Sequence, residues 1–133
     1  MKKILLDTNA YSNYLRGNEA VLDALATAHI VYMSVFVLGE LYYGFRGGTR
    51  ERENRHNLRL FTEKPTVTLV EATAETAEIF GEVKDTLKRQ GTPIPINDLW
   101  IAAQTIETGS VLVTLDQHFK QVPGLRIWDF DLA

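Results

Sequence analysis

Unbroken apolar runs and runs with helical spacing alternate along this chain. Ile4-Leu5-Leu6 is a continuous apolar stretch, the pattern of a short strand covered on both faces in a parallel sheet, and it ends abruptly in Asp7-Thr8-Asn9. Ala10 to Arg16 suits a short helix terminated by Gly17, and Asn18 stands where it would cap a second helix with Val21, Leu22 and Leu25 inward. His29 to Met33 is rich in strand-forming residues and does not alternate, so it predicts a second buried strand. Ser34 then opens a third helix in which Val35, Leu38, Leu41, Tyr42 and Phe45 recur at helical spacing until Gly47-Gly48 breaks it.

The second half repeats the alternation. Arg50 to Glu63 is a charged amphipathic helix anchored by Leu58 and Phe61, and Thr66 to Val70 is a third strand. Thr73 opens a longer helix with Ala77, Phe80, Val83 and Leu87 inward, with Lys84, Lys88 and Arg89 near its end and Gly91 as its stop. Thr92 to Ile96 must be extended ahead of its prolines. Asn97 is expected to cap the next helix, through Leu99, Ala102, Ala103 and Ile106 to Gly109. Val111-Leu112-Val113 is a fourth strand, and Pro123-Gly124 turns the chain into a fifth, Leu125 to Trp128. Strands alternating with helices, with no repeat, linker or low-complexity segment, predict one α/β domain over residues 1–133, its βαβ-type sheet flanked by helices.

Composition agrees and narrows the class. The chain has 133 residues, 45% hydrophobic and 23% charged, which is ordinary for a folded domain and unlike a disordered segment. With no cysteine there is neither a disulfide framework nor a thiolate metal site, which accords with a cytoplasmic location. The apolar run before Asp7 is too short for a signal peptide, and no stretch reaches membrane-spanning length. A net charge of -3 would ordinarily argue against nucleic acid as a partner, but an acidic site lowers the total while basic residues elsewhere still meet phosphates.

Four acids stand out by position. Asp7 ends the first strand, Glu40 lies in an otherwise apolar helix, Asp98 occupies the first turn of its helix, and Asp116 follows the fourth strand. Taken singly, each has a structural reading: Asp7 or Thr8 as a helix cap, Glu40 as a solvent-facing residue in a different helix register, Asp98 as an N-terminal charge on the helix dipole, Asp116 as cap of the turn Gln117 to Lys120. Together they share the rim at the carboxyl ends of the strands, where α/β sheets bind ligands. No basic residue is an obvious mate, and carboxylates gathered in one pocket oppose one another's ionisation. A divalent metal resolves that conflict, since hard cations take oxygen ligands. The histidines His29, His56 and His118 lack metal-ligand spacing and read as ordinary surface or core residues. There is no glycine-rich phosphate loop, no nucleophile elbow and no Cys/His pair. Metal-assisted hydrolysis of a phosphodiester is the chemistry an all-carboxylate site serves best.

At these residues the chain resembles the PIN-domain ribonucleases, specifically the VapC-type toxins of toxin–antitoxin pairs. Asp7-Thr8-Asn9, Leu38 to Gly44 around Glu40, Ile96 to Ala103 around Asp98, and Val113 to Phe119 around Asp116 resemble the family's four acidic motifs in order and spacing. The resemblance covers essentially the whole chain. It implies a parallel five-stranded sheet of order 3-2-1-4-5, with Asp7, Glu40, Asp98 and Asp116 as the catalytic, metal-binding set. Thr114 and Asn9 would orient a metal-bound water or a ligand carboxylate. It further implies endonucleolytic cleavage of transfer or ribosomal RNA supported by Mg2+ or Mn2+, a cognate VapB-type antitoxin, a homodimer, and no membrane.

Two other readings use the same pocket: a PIN-like module that grips RNA or protein without cutting, and a metal-dependent nuclease of single-stranded DNA. The intact acid set argues against the first. Arg46, Arg50, Arg52, Arg55 and Arg59 form one candidate edge for RNA phosphates, with Lys84, Lys88 and Arg89 as a second group, and Tyr42, Tyr43 and Phe45 offer an apolar surface to a partner.

Overall fold

The computed structural model describes residues 1–130. Its centre is a parallel sheet of four strands, β1 (Lys3–Leu6), β2 (Ile30–Ser34), β3 (Val67–Val70) and β4 (Val111–Val113), in the order β3-β2-β1-β4. β1 pairs with β2 from Lys3↔Ile30 to Leu6↔Met33 and with β4 from Ile4↔Val111 to Leu6↔Val113. Being paired on both edges and covered on both faces explains why Ile4, Leu5 and Leu6 are all fully buried. The helices α1 (Thr8–Leu15), α2 (Glu19–Thr27), α3 (Val35–Phe45), α4 (Glu51–Thr62), α5 (Ala74–Gln90) and α6 (Ile96–Thr108) flank this sheet. α5 and α6 pack chiefly on each other, while α1 touches α2 and α3.

Local chemistry sets most boundaries. Asn18 and Ser34 cap α2 and α3 through their side chains, and Thr73 opens α5 in a reciprocal capping box with Thr76. Gly91 and Gly109 end α5 and α6 at φ of 73° and 66°, a conformation that disfavours residues with a Cβ. Leu58 and Phe61 bury the apolar face of α4, with Phe61 edge-on to Tyr11 at 5.2 Å.

Several expectations need correction. The fifth strand is reduced to one parallel bridge, Ile127 to Leu112, held by Leu112 N donating to Arg126 O and Trp128 N to Leu112 O, both at 2.8 Å. β4 pairs three residues with β1 but only Leu112 with this segment, which leaves the sheet's last edge almost unpaired. Asn97 does not cap α6. Pro95 does, with its carbonyl accepting from Leu99 N at 3.1 Å; its fixed φ suits the helix entrance. Leu22 and Ala77 face outward, and Ala24 and Thr76 take the buried positions. No helix among the described residues is long and apolar enough to cross a membrane.

Candidate active site

The register between β1 and β4 creates the site. Because Leu6 pairs with Val113, the next residues along, Asp7 and Thr114, come side by side at the sheet's carboxyl edge, and Asp7 N donates to Val113 O at 3.2 Å. Asp7 is the N-cap of α1: its Oδ1 accepts from Ala10 N at 2.7 Å while its Oδ2 accepts from the Thr114 hydroxyl. The structural reading of Asp7 and its place among the acids therefore hold together. Thr114 Oγ1 in turn accepts from Asp116 N at 3.0 Å, so one hydroxyl ties two acids together.

Asp116 caps the following 3₁₀ turn, Gln117–Gln121, accepting from His118 N at 2.9 Å. Asp98 enters from the first turn of α6 and is half-buried. His118 Nδ1 bridges these two acids, 3.1 Å from Asp116 Oδ1 and 3.6 Å from Asp98 Oδ2. This corrects the sequence reading, in which His118 was an ordinary residue. One donor atom from each of Asp98, Asp116 and His118 lies within 4.8 Å of the others, a group able to hold a metal ion. Glu40, half-buried at mid-α3, accepts from Thr8 Oγ1 at 3.1 Å, and Thr8 follows Asp7 directly. Asn9 is exposed on α1. Its carbonyl accepts from Asn13 Nδ2, and among the described residues its side chain has no hydrogen bond to the acids.

The electrostatics match a site awaiting positive charge. Burial pushes the Asp7 carboxyl up to about 6; the bonds from Thr114 and Ala10 oppose this, and the nearby Asp116 and Asp98 reinforce it. Asp98 is raised as well, first by burial and then by Asp116, with Glu40 adding to it and His118 opposing. These influences join all four acids into one field. Among the described residues no lysine or arginine forms an ion pair with any of them. The donor set is thus oxygen-rich and short of cations, which fits a hard divalent metal.

Lys120 lines a pocket with Thr114 and Asp116, while members of the first basic group have partners other than the four acids. Arg50 is paired with Glu53, Arg59 bonds His56, and Arg55 stacks over Tyr42 at 4.8 Å. Tyr43 is strongly exposed and Tyr42 partly so, whereas Phe45 packs against the core.

Residues 4–125 match the PIN domain family. The chain belongs to that family. Among curated relatives, this PIN domain is 30% identical to Ribonuclease VapC2 of Rickettsia felis over 132 residues, covering 96% of this chain and 97% of that one. It is 27% identical to the tRNA(fMet)-specific endonuclease VapC of Salmonella typhimurium, over 98% and 99% of the two chains. Among solved structures, the PIN domain superposes on VapBC of Salmonella typhimurium bound to DNA with a TM-score of 0.86 at 26% identity, covering 98% of this chain and 99% of that one. VapBC2 of Rickettsia felis, bound to a DNA fragment from their promoter, gives 0.84 at 27%, with 95% and 97% covered.

Proposed function

We propose that this PIN domain is a VapC-type toxin, a metal-dependent endoribonuclease that hydrolyses a phosphodiester in transfer or ribosomal RNA. The observation that carries the reading is the convergence of Asp7, Glu40, Asp98 and Asp116 at the sheet's carboxyl edge with no lysine or arginine paired to them among the described residues. These four acids would hold Mg2+ or Mn2+. When bound, the metal supplies Lewis acidity and neutralises charge developing on the phosphodiester.

The chain's own residues do the rest. Thr114 fixes the Asp7 carboxylate by donating to one oxygen, while Ala10 N holds the other, so Asp7 has a single orientation. Thr8 steers Glu40 in the same way. The 3₁₀ turn after β4 presents Asp116 toward Asp98, and Asn9, exposed at the start of α1, would orient a ligand at the site. Arg46 and Arg52, exposed and without an ion pair among the described residues, are the freest of the first basic group to track RNA phosphates.

A pocket of carboxylates with no lysine or arginine partner among the described residues also attracts a protein cation, and arginine is the best suited. The solved relatives are VapBC complexes. By that analogy this chain is silenced by a VapB-type antitoxin, which inserts a basic side chain toward Asp7, Asp98 and Asp116 while packing near Tyr42 and Tyr43. The test is parallel digestion of transfer RNA, ribosomes and single-stranded DNA with Mn2+ or with chelator. Cleavage of RNA alone, lost in chelator, is the expected result. Cutting of DNA only, or tight RNA binding without cleavage, overturns it in favour of the corresponding alternative.

A further inference from the structure

We propose that His118 is a direct metal ligand, forming with Asp98 and Asp116 a mixed nitrogen–oxygen set that favours Mn2+ and later first-row ions over Mg2+. The inference rests on the metal-dependent reading above and adds a residue to it.

The placement of the ring carries the argument. Asp116 caps the 3₁₀ turn by accepting from His118 N, so the two residues are locked in register by the backbone. The His118 side chain is 56% exposed and could extend into solvent, yet Nδ1 turns back to lie 3.1 Å from Asp116 Oδ1 and 3.6 Å from Asp98 Oδ2. One ring nitrogen faces two carboxylates from separate elements, and without a cation it serves them as a single N–H shared between two acceptors. With a cation among the three groups, each contributes a lone pair. Adjacent donors around an octahedral ion at about 2.1 Å are roughly 3 Å apart and opposite donors about 4.2 Å apart. The 3.1 Å distance to Asp116 matches the shorter spacing, the 3.6 Å distance to Asp98 falls between the two, and all three donor atoms lie within 4.8 Å of one another.

Chemistry then sets selectivity. Carboxylates alone suit Mg2+, whereas imidazole adds affinity in the order Mn2+, Co2+, Ni2+. Replacing the ring should therefore discriminate between metals rather than weaken all of them equally. His118→Ala keeps the backbone N–H that Asp116 accepts, and the removed side chain is largely exposed, so the fold is retained.

The experiment measures Mg2+, Mn2+ and Co2+ binding calorimetrically to the full chain and to His118→Ala, and records pulsed electron paramagnetic resonance of the Mn2+-loaded proteins. The wild type should show imidazole nitrogen coupling that changes on 15N-histidine labelling and vanishes in His118→Ala. The variant should lose about tenfold or more in Mn2+ affinity and more for Co2+, with Mg2+ changed by less than about threefold. Bound Mn2+ without nitrogen coupling, or an equal loss for all three metals, overturns the His118 assignment while leaving the carboxylate site standing. Failure of the wild type to bind any divalent ion overturns the metal reading and this assignment with it.

Discussion

Asp7→Asn should stabilise the metal-free protein at neutral pH even as it disables the site. Asp7 is 4% exposed and its carboxyl is raised from 3.8 to about 6, chiefly by burial. For an acid raised on folding, the native state binds more protons than the unfolded state between those two values, so stability falls as pH rises through that window. At about 1.4 kcal/mol per pKa unit, ionised Asp7 costs the fold up to about 3 kcal/mol at pH 7.5. Asparagine removes that charge but keeps most of the bonding. Its Oδ1 accepts from Ala10 N as before, asparagine being as good an N-cap as aspartate, and its amide can donate to Thr114 Oγ1. The net gain should be about 1–3 kcal/mol, or roughly 4–10 °C in Tm for a domain of this size. The assay is urea and thermal unfolding of both proteins in chelator between pH 4 and pH 8. The advantage of Asp7→Asn should be largest at pH 7.5 and fade below about pH 4, where Asp7 is protonated in both states. Adding Mn2+ should narrow or reverse the gap, because the wild type gains more from the metal than a variant lacking one of the four acids. An Asp7→Asn protein no more stable than wild type at pH 7.5 in chelator, or a gap that ignores pH, refutes the reasoning.

Other substitutions probe the parts around it. Thr114→Val keeps the β-branched shape but strips Asp7 and Asp116 N of a partner, so it should cost about 1–3 kcal/mol and lower activity about tenfold to a hundredfold, less than Asp116→Asn, with Thr114→Ser retaining most of both; full activity in Thr114→Val removes the hydroxyl from the site. Leu112→Ala empties a fully buried position that joins β1 to the Ile127 bridge and should cost about 2–5 kcal/mol in urea unfolding. If an antitoxin inhibits by inserting a basic residue, excess Mn2+ and replacement of that residue by alanine should each relieve inhibition; indifference to both indicates steric cover instead.

What could be read in the sequence follows from where the information is local. Asp7 and the strand before it were legible because an unbroken apolar run stops at a polar residue, and that alone puts a carboxylate on the sheet's edge. Capping residues such as Asn18, Ser34 and Thr73 act within one turn, so their helices began where expected. Pro95 displaced Asn97 as the entrance to α6 because proline serves there without a side-chain bond, a signal weaker than an asparagine that looks like a cap. The fifth strand shrank to one bridge because pairing depends on how the segment meets β4 in space, which the residues Leu125 to Trp128 do not themselves encode. Leu22 and Ala77 lost their buried places to Ala24 and Thr76 through tertiary choice: the Thr76 hydroxyl donates to Glu107 on α6 at 2.6 Å. His118 was missed for the same kind of reason. Its approach to Asp98 joins segments twenty residues apart, although its spacing of two from a capping Asp116 was a usable hint. The link from Thr8 to Glu40 likewise exists only once α1 and α3 are packed.

The most direct test of the central claim is single-turnover cleavage of an RNA substrate by the wild type and by Asp7→Asn, Glu40→Gln, Asp98→Asn and Asp116→Asn, each first shown to be folded, with and without Mn2+. Asp85→Asn, an exposed acid paired with Arg89 away from the site, serves as control. If the four acids hold the metal that drives hydrolysis, each of the four variants should lose at least about a hundredfold in rate, the control should match the wild type, and the wild type should stop in chelator. Full activity in any one of the four, or wild-type cleavage that persists without divalent metal, would contradict the account.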